Sequence, residues 1–82
     1  MQEYSIEVEV YTSNQKVESK CNAITFINPS GSGVTFTVNN IPILEGNSLE
    51  LAGKANEIDI TQYLLNFGTV NGTCYVIKKV YL

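Results

Sequence analysis

The chain has 82 residues, of which 44% are hydrophobic and 16% are charged, and its net charge is -3. This length indicates one domain, residues 1–82, and the composition is too apolar and too lightly charged for a disordered chain. Only five basic residues are present, and they cannot form the basic stripe that neutralises a nucleic-acid backbone. No apolar run approaches the length of about 18 residues that a membrane span needs. We therefore expect neither nucleic acid nor a membrane as a partner.

The N-terminal segment "EYSIEVEVYT" alternates between two kinds of side chain. One face carries Tyr4, Ile6, Val8 and Val10. The other face carries Glu3, Ser5, Glu7, Glu9 and Tyr11. A period of two over this length predicts a half-buried strand with the apolar face inward and the glutamates in water. The start of the chain lacks the basic-then-apolar pattern of a secretory signal. We therefore expect a protein that is cytosolic, or processed, or assembled inside a cell into something later released.

The next segments predict further strands. After a polar connector, "CNAITFIN" is apolar at both parities, which predicts a strand covered on both faces in the centre of a sandwich, ending at Asn28-Pro29. "GVTFTV" alternates, and Asn39-Asn40 separates it from "IPIL", which predicts a two-residue hairpin. Because Pro42 cannot donate a ladder hydrogen bond, the returning strand should lie at a sheet edge.

The C-terminal half contains shorter strands and strong turn signals. "EGNS" and "GKAN" flank a short strand, and "EIDITQYLLNF" follows, which the β-rich context favours as strand. Asn71-Gly72 predicts a hairpin that pairs the last two strands. Together these segments predict an all-β fold, a small antiparallel β-sandwich or barrel of about seven short strands.

The glycine cluster "NPSGSGVTFTVNN" is the first candidate for a chemical site. No lysine follows Gly33 as a P-loop requires, and a strand rather than a helix comes next, so we interpret the cluster as a strand connector. The chain has no histidine, the commonest general base. Glu7 and Glu9 share a strand face, but we interpret them as solvated side chains rather than as the carboxylate pair of a glycosidase. We therefore predict no catalytic residues, no cofactor and no enzymatic activity.

Metal and redox chemistry have weak signals. Cys21 and Cys74 match no zinc or redox spacing, so we interpret them as small apolar side chains in strands, with a disulfide left open if those strands are neighbours. Four carboxylates could meet only if their turns converged, and they are a sparse set for calcium, so no metal site is predicted. These carboxylates belong to Glu45, Glu50, Glu57 and Asp59.

One stretch resembles a known family. "ITFINPSGSGVTFTVNNIPILEGNSLEL" followed by "NEIDITQYLLNF" is similar to small β-sandwich virion proteins of tailed phages of Bacteroidota, the crAss-like group among them. In those proteins an "NG(I)PL.PG.S" turn precedes an "EID.T.Y.I.F" strand. The similarity covers Ile24 to Phe67, with Glu45-Gly46 standing where the family has Pro-Gly. Its motifs are structural and carry no catalytic residues.

The resemblance implies a virion structural protein, made in the host cytoplasm. Within that group we expect a head auxiliary or decoration protein that binds the capsid shell or anchors a fibre, as a homo-oligomer or repeated subunit. The N-terminal strand and the C-terminal "VIKKVYL" are candidate edges for strand addition between subunits. Glutamates of one chain could then oppose lysines of the next. The interface candidates are Glu7, Glu9, Tyr11, Lys78, Lys79 and Tyr81.

Two alternatives belong to other functional classes. A carbohydrate-binding β-sandwich of a receptor-binding fibre would use tyrosines for stacking, and Tyr11, on the glutamate face, is the tyrosine we expect to be exposed. The lack of tryptophan counts against this alternative. The second is a small host-takeover protein that binds a bacterial partner, which the acidic charge and the short chain also suit.

Overall fold

Eight strands and no helix make up the chain in the computed structural model, which describes every residue from Met1 to Leu82. The strands are β1 (Tyr4–Tyr11), β2 (Gln15–Glu18), β3 (Ala23–Ile27), β4 (Phe36–Val38), β5 (Ile41–Ile43), β6 (Ser48–Ala52), β7 (Gln62–Asn66) and β8 (Cys74–Tyr81). The predicted all-β class is confirmed, with one strand more than expected.

The strands form two antiparallel four-stranded sheets. Sheet A has the order β1-β8-β3-β6, and sheet B has the order β2-β7-β4-β5. Inward side chains from both sheets, together with Cys21 and Phe67 just outside the strands, form one core of 12 buried residues, which is a β-sandwich rather than a closed barrel. The largest fully buried side chains are Phe26, Phe36, Ile24 and Leu65.

The β4–β5 hairpin forms where the sequence predicts it. Asn39 (φ 49°) and Asn40 (φ 67°) both have positive φ, the combination that a two-residue type I′ turn requires. Pro42 lies on β5, at the outer edge of sheet B, where no neighbouring strand needs its missing N–H. The turn and the edge position are both confirmed.

Two buried asparagines flank β3 and hold the loops at its ends. Asn22 donates to three carbonyls in the loop 54–57, and its Oδ1 accepts the Tyr81 N–H at 2.8 Å. At the other end, Asn28 Nδ2 donates to Ile43 O at 2.9 Å. Both side chains are almost completely buried, and every buried side-chain polar atom in the molecule has a hydrogen-bond partner. Sheet A is therefore joined to its loops by satisfied polar contacts in the interior.

The Asn71-Gly72 hairpin prediction is wrong. β7 lies in sheet B and β8 lies in sheet A, so the segment between them crosses from one sheet to the other, and neither residue has positive φ. Gly72 is needed for another reason: a Cβ there would lie 2.5 Å from Phe67 Cδ1. The glycine makes room for the Phe67 ring, which packs edge-on against Phe36 at 5.2 Å between centroids.

Two other expectations change. β3 is buried on one face only, with Ala23, Thr25 and Ile27 half-buried on the other. Ile58 and Ile60 are exposed, and their segment contributes only an isolated bridge between Asp59 and Cys21.

Cys21 and Cys74 are buried free thiols that form no disulfide, so the interpretation as small buried side chains is confirmed. Cys74 lies in β8 as expected, whereas Cys21 lies outside the strands in an isolated bridge. Burial raises the pKa of both thiols, that of Cys74 to about 11.

Replacing Gly72 by Ala should destabilise the fold, whereas Asn71→Ala should not. The new methyl group must displace the Phe67 ring from a packed core, which typically costs about 1–3 kcal/mol. Urea unfolding of both variants measures the difference, and Asn71→Ala should stay within about 0.5 kcal/mol of the parent. Equal destabilisation by the two substitutions would instead indicate that the residues act together as a turn.

Candidate functional site

The side chains of β1 are oriented opposite to the sequence prediction. Its apolar residues face solvent: Ile6 is 50% exposed, Val8 62% and Val10 56%. Glu9 and Tyr11, expected in water, are half-buried on the inner side of sheet A. Since successive strand residues point to opposite faces, one choice of orientation decides all eight positions.

These apolar residues continue across sheet A. The strand registers place Val8 beside Ile77 and Val10 beside Tyr75, and Tyr75 beside Ile27 of β3. We call this surface the outer face. It consists of Tyr4, Ile6, Val8 and Val10 from β1, Tyr75, Ile77, Lys79 and Tyr81 from β8, Ala23, Thr25 and Ile27 from β3, and Ser48, Glu50 and Ala52 from β6.

The opposite surface of the sandwich provides an internal comparison. The outward positions of β2 and β7 in sheet B are mostly polar: Lys16, Glu18, Gln62 and Asn66, with Leu64 as the apolar exception. That is the ordinary pattern of a solvent face. Compared with those two strands, sheet A exposes a continuous apolar face, and its exposed apolar side chains present roughly 500 Å², within the range of patches that are often functional.

Charge is nearly absent from the outer face. Its two charged residues are Lys79 and Glu50, the latter on the edge strand β6. Lys79 Nζ lies 4.4 Å from the centre of the Tyr4 ring and 4.9 Å from that of Tyr81. The two rings partly shield this cation by cation–π contact, so the middle of the face presents hydrocarbon and aromatic surface.

A polar cluster lies on the inner side of the same two strands. Lys78 Nζ and Glu9 Oε1 form an ion pair at 2.8 Å, and the Tyr11 hydroxyl donates to the same oxygen at 2.6 Å. Burial alone would raise the pKa of Glu9, but hydrogen bonds from Lys78 and Tyr11 outweigh it and lower that pKa. Burial, together with the bond to Glu9, raises the pKa of Tyr11 to about 12.

This cluster separates the predicted interface residues into two groups. Glu9 contacts both Tyr11 and Lys78 of its own chain, and Glu7 stays exposed on their side. Lys79 and Tyr81 lie on the outer face. The prediction that Tyr11 is exposed is wrong, because its ring packs against the core.

The predicted C-terminal edge is also wrong. β8 lies between β1 and β3, so it offers no free backbone groups to a neighbouring subunit. Lys78 forms an ion pair with Glu9 of its own chain, so it is not available to pair with a glutamate of another chain.

The predicted N-terminal edge is confirmed, because β1 ends sheet A. The Leu82 N–H donates to Glu3 O at 2.9 Å, and hydrogen-bonded pairs alternate along an antiparallel ladder. The backbone groups of Glu7 and Glu9 therefore point to β8, whereas those of Ile6, Val8 and Val10 point to the open edge. The same apolar residues carry both the exposed side chains and the unpaired backbone groups.

The main residues of the outer face were not among the sequence-based candidates. Val8, Val10, Tyr75 and Ile77 were expected to lie in the core or were not singled out. Alternation in β1 shows that one face is apolar, but it does not show which face meets the second sheet. The sequence distinguishes the two faces of β1 only through its partner strand β8. There Cys74 and Val76, which are buried, lie on the same face as Lys78, so that face of the sheet is the inner one.

A second polar cluster surrounds Asp59. The Tyr63 hydroxyl donates to Asp59 Oδ2, the Thr61 N–H donates to Oδ1 at 2.8 Å, and buried Ser19 donates to Asp59 O at 2.7 Å. Burial alone would raise the pKa of Asp59, but hydrogen bonds from Tyr63, Thr61 and Ser19 to its carboxylate lower it. Burial and the bond to Asp59 raise the pKa of Tyr63 to about 12. Every group has a partner within the fold, so the cluster stabilises the 59–63 segment.

The largest cavity lies elsewhere, along β5 and the turn that leads to β6. It has a volume of about 410 Å³ and is lined by Ile41, Pro42, Ile43, Leu44, Gly46, Asn47, Ser48 and Leu49. No titratable side chain lines it. Other carboxylates bind backbone amides: Glu45 accepts from Gly33 N and Glu57 from Lys54 N. No three histidine, cysteine or acidic side chains come together as metal ligands would.

Comparisons of the chain with known protein families, curated proteins and solved structures found no match. None of the structure's segments forms a helix long and apolar enough to cross a membrane. The outer face is therefore the candidate functional site on its own physical properties: exposure, continuity and low charge.

Replacing Lys78 by Gln should destabilise the chain, whereas Lys79→Gln should change little. Lys78 is 11% exposed at its side chain and pairs with Glu9, so its loss leaves a half-buried carboxylate with one partner fewer, at about 1–2 kcal/mol. Lys79 loses only a surface cation–π contact, worth about 0.5–1 kcal/mol at most. Thermal unfolding at neutral pH compares the two variants. A larger loss in Lys79→Gln would contradict the assignment of Lys78 to the fold.

Tyr63→Phe should lower stability by about 1–3 kcal/mol, because it leaves a partly buried carboxylate short of a donor. Tyr75→Phe is the matched control, since that ring is 40% exposed. The parent should lose stability from pH 10 to 12, because the folded-state pKa of Tyr63 is about 12 and the unfolded chain releases its phenol protons first. Tyr63→Phe should flatten part of that decline, with Tyr11 supplying the rest. An unchanged slope in urea titrations across this range would contradict the role of Tyr63.

Proposed function

We propose that this domain is a non-enzymatic structural subunit of a tailed-phage virion, a head auxiliary or decoration protein that binds the capsid shell or anchors a fibre through protein contacts. The observation that supports it is the exposed apolar outer face. Ile6, Val8 and Val10 are each at least half exposed, and the contact of their aliphatic side chains with water is unfavourable. A subunit whose task is to assemble needs such a surface, whereas an isolated domain gains nothing from it.

The physical character of the outer face suits protein contacts. Interface cores are depleted in charge and enriched in aromatic residues, and here Tyr4, Tyr75 and Tyr81 accompany aliphatic side chains with one shielded lysine. The virion as the place of assembly rests on the resemblance of Ile24 to Phe67 to small phage β-sandwich proteins. The proposal thus combines a surface of this chain with a likeness of half its sequence.

The structure does not provide the exposed tyrosine on which the carbohydrate-binding alternative depends. It depended on an exposed Tyr11 as the stacking platform, and the Tyr11 ring packs against the core while its hydroxyl is bound to Glu9. No other observation favours a sugar site. Host-protein binding stays as the alternative that the following experiment separates from the virion proposal.

Purified particles of the phage that encodes this chain should contain it in many copies, and tagged protein should co-sediment with particles stripped of it. Val8→Glu should lose this binding, because it places a charge in the middle of the outer face without touching the core. Leu64→Glu is the matched control: it adds the same charge to an exposed strand residue of sheet B, and it should still bind.

Mass spectrometry of the particles provides the copy number. If the protein is abundant in infected cells but absent from particles, the virion proposal fails. Capture of one stoichiometric host protein, lost in Val8→Glu and kept in Leu64→Glu, would then favour the host-binding alternative.

A further inference from the structure

We infer that the outer face of sheet A binds the outer face of a second copy of this chain, so that two sandwiches stack as a symmetric dimer. This inference rests on the proposed function only in taking the outer face as the assembly surface: the dimer formed through that face is then the unit that binds the particle, so Val8→Glu affects both contacts. It adds the identity of the occupant, a second copy, which charge, edge geometry and area all favour.

Charge favours a second copy on this face. The whole chain carries a net charge of -3, so two copies repel one another over most of their surfaces. The outer face is the exception, because its charges are one lysine between two tyrosine rings and one glutamate at the border. A two-fold contact centred on Val8 and Ile77 brings together apolar surface and keeps Lys79 away from its centre.

The free edge of β1 is a poorer route to self-association. When two copies of β1 pair across a two-fold axis, residues of the same face lie opposite one another. The registers with the greatest overlap are centred on Glu7 or on Val8. They set Glu7 against Glu7, or Glu7 against Glu9, and like charges directly opposite are destabilising. The glutamates therefore discourage edge pairing, while the apolar residues between them leave the face available.

The area of the outer face is sufficient for a weak specific dimer. Two copies would bury roughly 1,000 Å² in total, which is near the lower limit for specific interfaces. The gain matters for a chain with only 16 of 82 residues buried, since domains of this size bury little apolar surface alone and are often stabilised by association. Sheets stack at about 10 Å when their side chains interdigitate, and Val8, Ile77 and Tyr75 provide suitable side chains.

Sedimentation of the purified protein over a concentration series tests the dimer. We expect a monomer–dimer equilibrium with a dissociation constant in about the micromolar range. Val8→Glu should raise that constant at least about 100-fold, because the two-fold axis brings the unpaired carboxylate into the interface twice. Leu64→Glu should leave it within about 3-fold of the parent. Circular dichroism establishes that both variants keep the fold, as expected for substitutions at exposed positions.

Hydrogen exchange separates face stacking from edge pairing. The amides of Ile6, Val8 and Val10 point to the open edge of β1. In a face-stacked dimer they stay unbonded and exchange quickly at every protein concentration. In an edge-paired dimer they become protected as the dimer forms, which would overturn the inference even though a dimer exists.

Two results would contradict the inference directly. The first is a protein that stays monomeric up to about 1 mM, well above the range expected for such an interface. The second is equal dimerisation of the parent and Val8→Glu. A monomer whose Val8→Glu variant still loses particle binding would overturn the dimer alone and leave the virion proposal standing. A face-stacked dimer that is absent from particles would do the reverse.

Discussion

The ion pair between Lys78 and Glu9 determines how the first and last strands share one sheet. Cys74 and Val76 are fully buried, and the alternation of β8 therefore turns Lys78 toward the interior as well. A cation at the rim of the core is costly without a partner. Glu9, 2.8 Å away, supplies that partner and accepts the Tyr11 hydroxyl besides. The burial of Cys74 and Val76 in β8 thus requires a carboxylate on the inner side of β1 to pair with Lys78.

Everything outward on sheet A follows from that placement. Once Glu9 faces inward, Ile6, Val8 and Val10 must face solvent, because side chains alternate between the two faces of a strand and the orientation of one residue determines that of the others. The molecule keeps its ion pair and exposes three aliphatic side chains. For an isolated domain this arrangement is unfavourable, because the exposed side chains contribute nothing to the core. For a subunit that stacks on a partner it is consistent, since the same side chains become an interface when association covers them.

Local signals predicted what is decided locally. The Asn39-Asn40 turn, the edge position of Pro42 and the strand identity of 62–66 depend on the conformational preferences of a few neighbouring residues, and the structure has all three. The Asn71-Gly72 prediction failed because a glycine can be required for steric reasons as well as for a turn. At Gly72 the requirement is space for the Phe67 ring. The orientation of β1 failed because period two describes a strand with two faces, and only the partner strand determines which face is inside. The candidate site lies on that undetermined face, so sequence alone could not place it.

The glutamates of β1 therefore act in two ways that support one another. On the inner side Glu9 completes the cluster with Lys78 and Tyr11, which fixes the strand against β8. Along the open edge Glu7 and Glu9 oppose pairing with another β1, which is the usual hazard of a long unpaired strand. The apolar residues between them would make such an edge aggregation-prone if the glutamates were absent. Acidic and apolar residues in alternation thus close the edge to copies of the same strand and leave the broad face as the surface on which association costs least.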